Sequence, residues 1–469
     1  MRHPIDIPRG IKARSPVAAA SGVRRILQSL GRDRRGAAAL VMAAAASSVI
    51  GMAAFATEAG NWYLVRRHAQ NAADAAAFAA IKTLAETGST QTAVSMGTDV
   101  VSRNGFTAGG ATVVTVTADT ASTPRSVRVV VQQTQPLLLA RVLLQQATVV
   151  RATSRAVAAD MSKGACVLTL SGSIAIGNNT IATAPGCALA SNYKAGDAFQ
   201  AGSGGSIANG SFTVTASGIV TTGGCRGCAE SVSAGKLVLG SPPSSYQPPV
   251  RNPYAALNSF QPPANFPSSC INAQTGATLL PWESGSTCYT SITLSGNNTT
   301  VMTPGTYYIR GGDFKINSGS LTCPDCTGGR GVTIVLTGNA TNAIGSVGIN
   351  TNGTVQLSAP RSNPASTNGS NSDLSGVLIF RDPNARWVPS GGTTQVSING
   401  GASISLNGAV VAPNIAASLN GGSTSQVNGC TVMVVGSLSL GGNTQLSTGG
   451  CTAMGTAVPT PQILRLVDG

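Results

Sequence analysis

Charge is scarce in this chain of 469 residues. Asp, Glu, Lys and Arg together make up 10%, aromatic residues 4%, and the histidines number two, His3 and His68. So few charges exclude a coiled coil, an acidic disordered tail and an ordinary soluble α/β enzyme. No G-x-S-x-G, H-E-x-x-H, Walker or dinucleotide-binding motif occurs, and no cysteine precedes Cys166. Glycine is the residue in excess: 46 of its 57 positions lie from Gly164 onward, without the three-residue period of collagen.

The charges that exist are unevenly spread. Residues 1–35 hold nine Lys/Arg against Asp6 and Asp33, which is half of the formal net charge of +14. Between Arg35 and Glu58 no residue is charged, and Gly36 to Thr57 reads GAAALVMAAAASSVIGMAAFAT. Twenty-two residues suffice to cross a hydrocarbon core of about 30 Å as a helix. Leu40, Val41, Met42, Val49, Ile50, Met52 and Phe55 supply the insertion energy; a cleaved secretory signal is the alternative. Arg24, Arg25, Arg32, Arg34 and Arg35 precede the span while only Arg66 and Arg67 stand closely after it. The positive-inside rule therefore keeps the N-terminus cytoplasmic and exports the chain beyond Glu58. The basic segment has no aromatic interleaving, so a topogenic role is expected and no nucleic-acid partner.

Ten cysteines, all beyond the proposed span, suit an oxidising compartment. Neighbouring pairs are expected: Cys166 with Cys187, Cys225 with Cys228, Cys270 with Cys288, Cys323 with Cys326, and Cys430 with Cys451. The two C-x-x-C pairs leave a four-cysteine zinc site and a thioredoxin-type redox pair open. Against the latter, neither pair is expected to open a helix after a strand.

Residues 58–86 are Ala-, Leu-, Gln- and Arg-rich and lack proline, which predicts that the membrane helix continues outward. Ala69, Ala72, Ala73, Ala76 and Ala80 recur at i, i+3 and i+4, a face that permits close packing. Asp74 interrupts this apolar run, with Arg67 or another subunit as its expected partner. Three motifs stand here: Arg34-Arg35-Gly36 before the span, Glu58-x-Gly60-x-Trp62-Tyr63 at its outer end, and Gln70-Asn71-Ala72-Ala73-Asp74-Ala75-Ala76 beyond. In them the sequence resembles the TadE/TadG-like proteins of the Tad (Flp) pilus assembly system, over about a tenth of the chain. The resemblance implies an inner-membrane protein with a periplasmic portion that helps build, anchor or terminate a pilus. Pilin-like substrates of prepilin peptidases carry Glu five residues after the cleaved Gly; Val41 stands there, so the anchor is expected to be retained.

The fold expected is α+β. A basic cytoplasmic segment (1–35), a transmembrane helix (36–57) and a helix with a small, pilin-like α+β region (58–163) precede a Gly/Asn-rich, disulfide-containing β domain (164–469). In the small region, residues 111–118, 127–133 and 147–158 read as strands and 137–144 as a short helix. In the β domain, short β runs alternate with Gly/Asn/Ser/Thr turns and no amphipathic helix is expected between them. Residues 396–401, 402–408, 418–422 and 436–443 share an aliphatic, small, aliphatic, Asn/Gly pattern, the style of a parallel β-helix; a β-sandwich is the alternative. Several N-x-S/T sequons, for example at Asn178, Asn209, Asn298, Asn352 and Asn368, read first as turn residues. Eight prolines between Pro242 and Pro267 predict a stiff insertion, 241–267, that interrupts the domain as a linker or extended loop.

Enzyme chemistry on such a fold needs clustered carboxylates and a base. The best cluster is residues 381–387, containing Arg381, Asp382, Arg386 and Trp387, with Asp313 and Lys315 far off in sequence; Asp382 is expected to cap a turn before Pro383. The functional expectation is a non-enzymatic assembly or minor-pilin-like component without cofactor. Its expected partners are the inner membrane, pilus-assembly proteins or pilin subunits, and a surface polymer. The alternatives are a surface adhesin or polysaccharide-binding protein and, behind it, a β-helix carbohydrate enzyme.

Overall fold

The computed structural model describes residues 34–137, 141, 146–202, 211–267, 269–338, 344–384, 396–424 and 429–467. The basic segment before Arg34, nearly all of the 137–144 helix, Asn209, Arg386 and Trp387 lie outside the described residues.

Helix α1 runs without a break from Arg34–Thr87, 54 residues, about 80 Å long at 1.5 Å per residue. Its first part exposes Leu40, Val41, Met42, Val49, Ile50, Met52 and Phe55. Its length and composition fit a single-pass membrane anchor, and none of the most apolar window is buried. Further on the helix changes character: Ala69, Ala72, Ala73, Ala76, Ala77, Ala80, Ile81 and Leu84 are fully buried. Gly88, at φ 70°, breaks the helix, and the Ser89 hydroxyl caps the next by accepting from Thr92 N at 3.2 Å. Helix α2 spans Thr90–Arg103.

Strands β1 (Thr112–Asp119), β2 (Arg125–Gln135) and β3 (Thr148–Asp160) come next. They form a four-stranded sheet, completed by the C-terminal strand Gln462–Val467. The described chain forms two compact units: residues up to 75 with 100–115 and 130–153, and residues 76–99, 116–129 and 154 onward.

In the second unit the all-β region is a coil of parallel strands. Each turn supplies a strand to each of three faces and pairs with the turn stacked on it. On one face Val220, Ala190, Leu168, Val434, Val411, Phe380, Val335, Tyr308 and Cys288 are successive partners. Inside the coil, Ile174, Phe199, Ile292, Phe314, Ile334, Ile349, Met433 and Leu438 belong to one core cluster. An antiparallel sandwich would not give this register. The order of stacking departs from the chain order. Residues 165–239 make three turns and residues 271–445 make seven more. The last of these, through Met433, Val434 and Leu438, lies on the first, at Val167, Leu168 and Ile174.

The proline-rich segment explains how. The chain leaves the third turn at Ser244, beside Val220, and re-enters at Ile271, beside Tyr289. These points are ten parallel rungs apart, about 48 Å at 4.8 Å per rung. The 26 residues between reach roughly 86 Å at 3.3 Å each when fully extended, so an incompletely extended strap suffices. Of the two expectations, linker or extended loop, the segment is the extended loop, and it is packed. Val250, Tyr254, Leu257 and Phe260 are buried and pack on the outward side chains of that face, Leu168, Ala190, Tyr308, Val335, Phe380, Val411 and Val434. Strands Val332–Thr337, Val377–Arg381 and Ala165–Thr169 are accordingly buried on both sides, which is why they read as continuous apolar runs.

Glycine marks the corners, where backbones of successive turns meet. A Cβ on Gly345 would stand 2.3 Å from the Gly312 carbonyl oxygen, and one on Gly353 would stand 2.1 Å from that of Gly319. Two short helices, Cys228–Ser233 and Ala365–Asn368, interrupt the strands where none was expected. Both are too short for a helical periodicity to register in the sequence.

Candidate functional site

The motif residues lie along α1. Arg34, Arg35 and Gly36 open it. Glu58 is buried, at 4% exposure, whereas Gly60 is exposed and an added Cβ there would meet nothing within 4 Å. Trp62 is half-buried, with its Nε1 enclosed and without an acceptor; Tyr63 is 61% exposed. Further along the helix, Gln70 Nε2 donates to Asp74 Oδ1 at 2.8 Å and to the Thr153 carbonyl at 3.1 Å. The partner of Asp74 is thus Gln70 at i−4, in place of Arg67, because a carboxylate at that spacing faces the amide along the helix. Asn71 is exposed, while Ala72 and Ala73 are buried. The arrangement is a polar clasp on a small-residue face: alanines admit a close neighbour, and the Gln70–Asp74 pair holds one carbonyl of β3.

All ten cysteines are paired: Cys166–Cys187, Cys225–Cys228, Cys270–Cys288, Cys323–Cys326 and Cys430–Cys451. Both C-x-x-C sulfur pairs are thereby spent, and no thiolate remains for the four-cysteine zinc arrangement. The expectation that neither pair adjoins a helix needs correction, since strand Cys225–Arg226 leads directly into helix Cys228–Ser233. Gly227, at φ 76°, makes that turn feasible.

Arg381 and Asp313, remote in sequence, both hold the corner at residues 344–346, with Lys315 paired to Asp313 and Asp382 next to Arg381 in the chain. Arg381 Nε donates to the Gly345 carbonyl at 3.1 Å, and its Nη2 to that of Ile344 at 3.4 Å. Burial lowers the guanidinium pKa to about 10 despite the opposing charge of Asp382. Asp382 accepts from the Thr337 hydroxyl and from Asn384 N, both at 2.9 Å, and so caps the turn before Pro383. Asp313 accepts from Ser346 N at 2.6 Å and pairs with Lys315. The carboxylates and guanidinium hold backbone at a corner, in the manner of an Asx turn. Sequon residue Asn368 is likewise structural: fully buried, it donates to the carbonyls of Asn363 and Ser372.

Burial pushes the Asp313 pKa up, but the Lys315 and Ser346 hydrogen bonds outweigh it and leave the carboxyl below its usual range. A lowered folded-state pKa stabilises above the unfolded value of about 3.9, and the effect is lost as pH falls through the folded value. Asp313→Asn is therefore expected to lose at most about 1 kcal/mol near pH 7. Chemical unfolding of the two proteins should differ there and converge as the pH falls below the usual carboxylate range; a difference that persists once the carboxyl is protonated would assign the loss to packing.

Three features escaped sequence reasoning: the buried Glu58, the packed strap and the returning C-terminal strand. The strap had a signal, because Tyr246, Tyr254, Phe260 and Phe266 concentrate aromatics in a chain that has few. The strand had one too, in Ile463, Leu464, Leu466 and Val467 after Pro461. It pairs antiparallel with β3, Gln462 opposite Asp160 and Val467 opposite Arg155.

Fold and site together describe a chain in which one long helix, whose apolar part fits a single-pass membrane anchor, precedes a disulfide-containing parallel β region. Residues 36–86 match the family model described as "Putative Flp pilus-assembly TadE/G-like". This segment is TadE/G-like and supports a Tad pilus-associated component. No curated protein and no solved structure matches the chain.

Proposed function

We propose that this protein is a non-enzymatic component of a Tad (Flp) pilus system. In this reading α1 anchors it in the inner membrane with the N-terminus cytoplasmic, and the parallel coil is a β-solenoid displayed in the periplasm or at the pilus. The observation that carries the reading is the TadE/G-like match, which runs through the anchor and on to the Gln70–Asp74 clasp. Five disulfides support an oxidising destination. The exposed flank of the helix around Asn71 is the surface assigned to pilus-assembly proteins or pilin subunits.

A photo-crosslinking residue in place of Asn71 is expected to capture pilus-assembly proteins in cells. A reporter active only outside the cytoplasm, fused after Val467, is expected to be active. An inactive reporter beside an active cytoplasmic one would reverse the topology.

The adhesin reading has one supporting feature, a groove of about 600 Å³ lined by Glu283, Arg330, Arg361 and Asn363. Normal piliation of a deletion strain together with lost attachment to a polymer would favour it.

A further inference from the structure

The pilus reading leaves unused a basic and aromatic pocket at the outer end of the membrane span. Trp62, Tyr63 and Arg66 of α1, with Val149, Val150 and Arg151 of β3, line a cavity of about 340 Å³. Because α1 is continuous, Trp62 and Arg66 stand about 8 and 14 Å beyond Thr57 at 1.5 Å per residue. A headgroup layer adds roughly 5–7 Å on each side of the hydrocarbon core. Helical side chains lean toward the N-terminus, here toward the membrane, and arginine is long enough to carry its charge back to the phosphates. Trp62 and Tyr63 sit where aromatic belts form.

The chemistry of the lining is one-signed. Arg66 and Arg151 are exposed, and among the described residues no carboxylate lines the cavity. Around them the lip is apolar: Tyr63 is 61% exposed and Val149 56%. Two guanidiniums above an exposed aliphatic and aromatic lip, facing a bilayer, match a phosphate joined to acyl chains better than a free anion, which would gain nothing from the lip. The Gln70 bond to the Thr153 carbonyl holds β3 against the helix one turn beyond, so the two arginines stay opposed across the cavity.

We propose that this pocket holds the headgroup of an anionic phospholipid, with Arg66 and Arg151 on its phosphate and Tyr63 and Val149 against the upper acyl chains. The proposal rests on the membrane span alone and stands whether or not the chain serves a pilus.

The test is native mass spectrometry of the full chain released from nanodiscs of phosphatidylcholine doped with phosphatidylglycerol. The wild type is expected to retain phosphatidylglycerol in preference to phosphatidylcholine, and Arg66→Ala/Arg151→Ala to retain about tenfold less. Arg67→Ala, on the same flank but outside the pocket, should behave as wild type. Arg66→Lys/Arg151→Lys should keep much of the binding, which separates charge loss from misfolding. Equal retention of both lipids would overturn the proposal, as would an equal loss in Arg67→Ala. Displacement of the lipid by inorganic phosphate would overturn the lipid assignment and leave a free-anion site.

Discussion

Gly353→Val is expected to prevent the coil from closing properly, at a loss of about 3 kcal/mol or more. A Cβ at this position would stand 2.1 Å from the Gly319 carbonyl oxygen and 2.6 Å from its carbonyl carbon. Backbone cannot rotate away as a long side chain can, so relief requires the corner to open. Opening it separates Leu321 from Val355 and Thr322 from Gln356, the pairs that join these two turns, and exposes the buried Leu321 and Val355 behind them. The control is Gly186→Val, where an added Cβ meets nothing within 4 Å. Protease resistance and thermal unfolding should separate the two variants, with Gly186→Val near wild type. Equal behaviour would mean that the turns do not stack at this spacing.

Phe260→Ala is the second large effect, about 3–5 kcal/mol for a buried phenylalanine. Phe260 is 1% exposed and meets Phe380 edge-on, with ring centroids 5.0 Å apart. The strap around it is pinned at separate points along the stack. Asn192 exchanges hydrogen bonds with Val250 N and O, Tyr254 donates to the Ala457 carbonyl at 3.1 Å, and Asn371 Oδ1 accepts from Gln261 N at 2.7 Å. Arg310 donates to the Pro267 carbonyl at 2.7 Å. Truncating Phe260 leaves a cavity over the face formed by Val335, Phe380 and Val411, and the pinned ends limit collapse into it. Thermal unfolding checks the magnitude. A loss below about 0.5 kcal/mol, the level of an ordinary surface change, would mean that the segment is a linker after all.

Much of this architecture was legible in the sequence because it rests on local patterns. An uncharged run between Arg35 and Glu58 marks the anchor, and alternation at residues 111–118 and 127–133 marks β1 and β2. The aliphatic, small, aliphatic pattern of residues 396–443 reads as stacked short strands. The stacking order was not legible. Nothing local to Met433 or Val167 says that the last turn lies on the first, because parallel partners are chosen by shape and register between distant segments. The packing of the strap was not legible for a related reason. Proline density reports stiffness, while burial of Tyr254 and Phe260 depends on an apolar outer face that sequence places elsewhere. At the corners, Asp313 and Arg381 resembled a dispersed catalytic cluster; only the carbonyls of Gly345 and Ile344 and the amide of Ser346 give them a structural task.

The proposed role makes the TadE/G-like segment a working part of a Tad pilus system. The most direct measurement is the number of pili on cells lacking the gene, counted by electron microscopy and compared with cells complemented by the full-length chain. Pili should be lost in the deletion strain and return with the full-length chain; undiminished piliation without the gene would rule the pilus role out.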